Sequence, residues 1–134
     1  MIDAETLIEM MNSTSKTVPQ NFGLLRNADG HAKILGPCGD TMEFWIMIED
    51  SIIEDASFTT DGCQASIRSG SAVAQMILGL PEKDAYNLNK NNVIKNLPES
   101  SITSEHCIIL ALNTLRMAID NYRALWEKES NILM

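Results

Sequence analysis

The chain has 134 residues, with 10 Lys plus Arg against 18 Asp plus Glu and a formal net charge of −8. Ordinary globular composition, 45% hydrophobic and 21% charged, excludes wholesale disorder, and the length suits a single domain, residues 1–134, better than two. An acidic surface repels phosphate backbones and anionic lipid, so neither nucleic acid nor membrane is an expected partner.

No apolar run approaches the roughly 20 residues of a membrane-spanning helix. The start, Met1-Ile2-Asp3-Ala4-Glu5, lacks the basic flank and apolar stretch of a secretory signal, so a cytoplasmic protein is expected. In chain order, the spacing first predicts a helix from Asp3 to about Met11, with Leu7, Met10 and Met11 on one side. A polar run, Asn12 to Lys16, and then Pro19 break it. From His31 the texture is that of strands. His31–Leu35 leads into a turn at Gly36-Pro37, and Met42–Ile48 alternates, with Phe44, Ile46 and Ile48 on one face and Glu43, Trp45 and Met47 on the other. Ser51–Thr60 reads as a further strand after a turn at Glu49-Asp50.

Beyond Gly62 the period becomes helical. Ile67, Val73, Ala74, Ile77 and Leu78 recur at helix spacing up to Gly79. Short helices are expected near Pro81–Leu88 and Asn91–Leu97, then an irregular loop from Pro98 to Ser104. A last helix, Glu105 to Lys128, has Leu110, Ala111, Leu115, Ala118, Tyr122 and Leu125 as its apolar stripe. Strands first and helices afterwards make the fold class α+β: a small antiparallel β-sheet of about three strands, helices packed on one face, and a long C-terminal helix.

The three cysteines, Cys38, Cys63 and Cys107, each fall at an element boundary beside a polar or metal-competent neighbour. In Cys38-Gly39-Asp40 the glycine lets the backbone bend, so that a thiolate and a carboxylate two residues apart can face one point. Cys63 opens a helix, with Asp61 as the expected N-cap and Gln64 as its third helical residue; the helix start favours thiolate. His106-Cys107 opens the last helix after Ser104 as N-cap; adjacent helical residues point about 100° apart and so face a metal ion differently. Three thiols, one imidazole and one carboxylate offer five candidates for four ligand places. That set suits zinc of the Cys₃His kind or a two-iron, two-sulfur cluster, and the spacing leaves the metal open. Lys33 and Arg68 are the cations expected to offset thiolate charge. His31 reads as a strand-edge surface residue, the acidic turn of Glu49, Asp50, Glu54 and Asp55 as a solvated face, and the methionines, Met117 among them, as packing residues.

At these residues the chain resembles the U-type iron–sulfur cluster scaffolds, the family of IscU and of the N-terminal domain of NifU. The matching segments are Gly36-Pro37-Cys38-Gly39-Asp40, Phe58-Thr59-Thr60-Asp61-Gly62-Cys63, Ser66-Ile67-Arg68-Ser69-Gly70-Ser71, and His106-Cys107 with Leu110-Ala111 and Ala118-Ile119-Asp120-Asn121-Tyr122-Arg123. The resemblance implies a scaffold that is not an enzyme, on which a [2Fe–2S] cluster is assembled and then handed to apo iron–sulfur acceptor proteins. It implies Cys38, Cys63, His106 and Cys107 as ligands and Asp40 as the residue of cluster lability. Sulfur would come as persulfide from a cysteine desulfurase of the IscS/NifS kind, with Cys107 as the receiving thiol.

The family's docking segment for an Hsp70-type chaperone, Leu-Pro-Pro-Val-Lys, is replaced here by Ser100-Ser101-Ile102-Thr103-Ser104, so that partner does not carry over. His106 separates the chain from the branch of the family that binds zinc and has lysine at this place. The competing expectation is a zinc-bound persulfide acceptor for a desulfurase. A hydrolytic zinc enzyme fits poorly, because a thiolate-rich site makes zinc a weak Lewis acid. Trp126 and Leu133-Met134 offer apolar groups for a homodimer.

Overall fold

A computed structural model describes residues 19–37, 39–97 and 105–133, with side chains as far as Glu127. Strands β1 (Gly30–Leu35), β2 (Thr41–Glu49) and β3 (Ile52–Thr60) form one antiparallel sheet in that order. Helices α1 (Gln64–Met76), α2 (Glu82–Tyr86), α3 (Lys90–Asn96) and α4 (Glu105–Leu133) follow. The fold class is α+β, as the sequence leads one to expect. The expected helix at Asp3–Met11 and the loop Pro98–Ser104 lie outside the described residues. Among those described, no helix is long and apolar enough to cross a membrane.

Alternation along β2 directs Met42, Phe44 and Ile46 into the core, each with no exposed surface. They meet Ala56 and Phe58 of β3, Ile67, Val73 and Ala74 of α1, and Ala111, Leu115 and Ile119 of α4. Full burial of each large apolar side chain contributes about 1.5–3 kcal/mol, so this layer holds the helices on the sheet. Ile48 is only half-buried, and the buried stripe begins at Met42 instead. Trp45, on the opposite face, is also buried; it stands across from Ser57, and the His31 ring stacks on it at 5.2 Å between centroids.

The β2–β3 connection is a two-residue loop, Asp50-Ser51, closing the pair Glu49–Ile52. Both loop residues have positive φ, 53° and 66°, as a twist-matched tight hairpin turn demands. The turn therefore falls one residue later than Glu49-Asp50, and β3 starts at Ile52 rather than Ser51. A bulge follows: Met47 pairs with Asp55 but Ile48 with Ile53, leaving Glu54 unpaired. The extra residue shifts the alternation, so that Ile53 faces the core together with Ala56 and Phe58.

Helix α4 crosses the sheet along β1. At Gly30 an added Cβ would lie 2.4 Å from the Ala118 carbonyl oxygen, so only glycine lets strand and helix approach this closely. The His31 amide donates to Asn121 Oδ1 at 3.0 Å, tying the strand to the helix. The expected α4 stripe holds at Leu110, Ala111, Leu115 and Ala118. Leu125 and Met117, however, are about half exposed, at 49% and 50%. Met117 precedes Ala118 by one residue, about 100° around the helix from the packed face. The Arg116 guanidinium donates to the carbonyls of Tyr86 and Leu88, holding the α2–α3 connection against α4.

Candidate functional site

Three stretches of chain meet at one end of the sheet: the β1–β2 turn, the β3–α1 junction and the first turn of α4. The first is a tight loop in which Gly36 donates its amide to the Asp40 carbonyl at 2.7 Å. Gly39 sits at φ +87°, a conformation glycine adopts without strain. Cys38 lies outside the described residues. Asp40 follows it, half-buried.

A small polar network fixes the second stretch. Asp61 Oδ1 accepts the Thr41 amide at 2.7 Å, Thr60 Oγ1 donates to the Thr41 carbonyl at 2.6 Å, and the Gly62 amide donates to Thr60 Oγ1 at 3.1 Å. Asp61 is thus spent on joining the strand ends and does not cap α1. The N-cap is Cys63 itself, in extended conformation, and α1 begins at Gln64. No side-chain hydrogen bond of ideal geometry caps the helix. Even so, the Ser66 and Ala65 amides lie close enough to the exposed sulfur to hold the Cys63 thiol below its ordinary value. The Ser66 hydroxyl adds to this, while partial burial and the Asp40 carboxylate oppose it. Backbone and hydroxyl of Thr41 hold Asp61 below the usual carboxylate value, against some burial, and Lys33 assists. The field of Lys33 thus bears on Asp61.

Gly62 is where the stretches interlock. An added Cβ there would lie 2.5 Å from Ser66 Oγ and 2.7 Å from Asp40 Oδ2, so hydroxyl and carboxylate both rest over the bare backbone. Ser66 is fully buried, and its Oγ lies 3.4 Å from Cys107 Sγ. Gly36, Pro37, Asp40, Ser66, His106, Cys107 and Leu110 enclose a pocket of about 60 Å³. His106 and Cys107 both line it, although consecutive helical residues diverge.

Of the five candidates, Asp40, His106 and Cys107 share this pocket, and Cys63 stands within the electrostatic reach of Asp40. Cys63 is an exposed thiol and Cys107 a half-buried one. Among the described residues, no three His, Cys, Asp or Glu side chains are gathered tightly enough to hold an ion as they stand. The donor types nevertheless fit a soft metal or an iron–sulfur cluster, since thiolate and imidazole are the ligands such centres take. The residue that sequence reasoning left without a role is Ser66. Its signal was position: one helical turn beyond Cys63, a polar side chain on a face otherwise packed by Ile67 and Gly70. His31 is exposed, pairs with Glu43 and lies away from the pocket. Glu49, Asp50, Glu54 and Asp55 are exposed, as expected of a solvated face.

Residues 10–129 match the family model described as the NifU-like N terminal domain. Over 107 residues the chain is 36% identical to a protein of Aquifex aeolicus named iron–sulfur cluster assembly scaffold protein IscU, covering 78% of this chain and 68% of that one. A protein of the same name from Haemophilus influenzae is 34% identical over 111 residues, covering 79% and 87%. In fold, the chain is similar to the N-terminal NifU-like protein of Brucella abortus, with a TM-score of 0.59 at 14% identity, covering 78% and 86%. It is also similar to FiSufU of Fervidobacterium islandicum AW-1, with a TM-score of 0.58 at 22% identity, covering 82% and 92%.

Proposed function

This chain belongs to the NifU-like N-terminal domain family, and from that premise we propose that it is an iron–sulfur cluster assembly scaffold. In this reading a [2Fe–2S] cluster is its cargo: built from iron and desulfurase-derived sulfur, held for a time, then passed to apo-proteins. The observation that carries the reading is the convergence of Asp40, Cys63, His106 and Cys107 from three separate stretches onto one end of the sheet. Cys38, two residues before Asp40, supplies the third thiol.

Each of these residues has work to do on the chain's own account. The start of α1 keeps Cys63 inclined to thiolate, the form that binds iron and attacks sulfur. Imidazole at His106 completes a soft donor set. The Asp40 carboxylate, a harder donor beside the thiols, can exchange with a ligand and so keep the cargo transferable. A carrier of this kind needs no substrate turnover; it needs release. Its partners are a persulfide-bearing cysteine desulfurase, which donates sulfur, and apo iron–sulfur proteins, which accept the cluster. We infer that it acts in the cytoplasm, with residues 1–134 forming one scaffold domain.

Anaerobic reconstitution with ferrous iron, cysteine and a desulfurase tests this. Visible sulfur-to-iron charge-transfer bands, with iron and acid-labile sulfide in equal amounts, are expected. A colourless product that keeps zinc and accumulates persulfide would overturn the scaffold reading in favour of a zinc-bound sulfur acceptor.

A further inference from the structure

We propose that Ser66 is the positioning residue for a sulfane sulfur carried on Cys107, which it holds in the small pocket beside that thiol. This rests on reading the site as one that receives sulfur. The pocket, about 60 Å³, is too small for a peptide or a nucleotide and exceeds the roughly 10–15 Å³ that one water needs by the same measure. A terminal sulfur attached to Cys107 Sγ is an occupant of that scale. Leu110, Pro37 and Gly36 are among its lining residues, and such surfaces suit a large, polarisable atom. Ser66 lines it as well, with its hydroxyl against Cys107 Sγ at 3.4 Å and no exposed surface.

The contrast with Cys63 is direct. Cys63 is exposed, whereas Cys107 is half-buried and hydrogen-bonded. A sulfur delivered to Cys63 faces solvent; one delivered to Cys107 has a pocket to enter. Charge-assisted hydrogen bonds are stronger than neutral ones, so the hydroxyl holds the sulfur chain of an anionic persulfide in place. Gly62 is part of the device, because any side chain there would displace the Ser66 hydroxyl.

Loading needs only a sulfane donor. The Cys107 thiolate attacks a sulfur of inorganic tetrasulfide; a new S–S bond forms, the old one breaks, and trisulfide leaves with the electron pair. No oxidant or reductant enters. Cyanide then removes the outer sulfur as thiocyanate and returns the thiolate. Peptide-resolved mass spectrometry of the full chain, quenched at intervals during cyanolysis, reads the lifetime at each cysteine.

The persulfide at Cys107 is expected to survive about tenfold longer than that at Cys63, the factor a hydrogen bond to a charged group supplies. Ser66→Ala should shorten the Cys107 lifetime about tenfold, and Ser66→Thr, which retains the hydroxyl, should keep it long. Equal lifetimes at the two cysteines in the wild-type chain, an unaltered Cys107 lifetime in Ser66→Ala, or no persulfide on Cys107 at all would overturn the proposal. The wild-type comparison decides even where a variant fails to fold. Neither iron nor desulfurase is present, so failure here leaves the scaffold reading to its own test.

Discussion

At Cys63 two influences of opposite sign meet. The Ser66 and Ala65 amides at the start of α1 favour the thiolate, and the Asp40 carboxylate disfavours it. A negative neighbour raises a thiol's pKa, so removing it must lower that pKa. In Asp40→Ala, therefore, the alkylation profile of Cys63 should move to lower pH, and a reconstituted cluster should form normally but leave more slowly. Faster cluster loss would make Asp40 an essential ligand rather than the source of lability, and an unmoved alkylation profile would mean that its charge does not act on Cys63. That Asp40, His106 and Cys107 come together was legible in the sequence because thiols and imidazoles are few in this chain and Asp40 lies two residues from one thiol, at a turn. Ser66 was not. A serine in a helix of small residues has no distinguishing mark until the first turn of α4 is laid against it, and that juxtaposition is tertiary.

The elements that place these residues depend on close backbone approach as much as on apolar pattern. The order of strands and helices follows from a switch in period from 2 to 3.6, which any reader of the sequence can find. The bulge at Glu54 and the loop at Asp50-Ser51 do not follow from it. Ile52-Ile53 and the acidic pair after them allow either register, and only packing against the helices chooses one. Gly30 is a similar case: nothing in Asp29-Gly30-His31 announces that α4 lies directly above. Its Cβ would meet the Ala118 carbonyl oxygen, a backbone atom that cannot move without displacing the helix. Gly30→Ala should therefore lower stability by about 1–3 kcal/mol, the usual cost of overpacking. In urea the midpoint should fall while the slope of the transition is unchanged. An unaltered midpoint would show that β1 and α4 separate more easily than this contact implies. Because α4 begins with His106-Cys107, the same variant should also lose cluster-binding capacity when reconstituted.

Across the whole molecule, acidification acts through two opposed effects. The formal charge of −8 sets like charges against one another, and protonation towards the pI near 4.6 relieves that repulsion. Against this stands Asp61, whose carboxylate is held below its ordinary value by the Thr41 amide joining the β2 and β3 ends. The sign follows from linkage. With its folded value depressed, Asp61 contributes fully above the unfolded carboxylate value, about 3.9, and the contribution is lost as pH falls through the folded value. Asp61→Asn keeps an oxygen to accept the Thr41 amide but removes the titration. At neutral pH the variant should be less stable than the wild type, since a neutral acceptor makes the weaker bond. Between about pH 4 and the acid limit the two should converge, because only the wild type then loses a charge from this join. Urea midpoints measured from neutral to strongly acid pH check it. Curves that run parallel throughout would mean that the strand ends are held by Thr60 alone, and that the acid response of the fold originates elsewhere than beside its thiols.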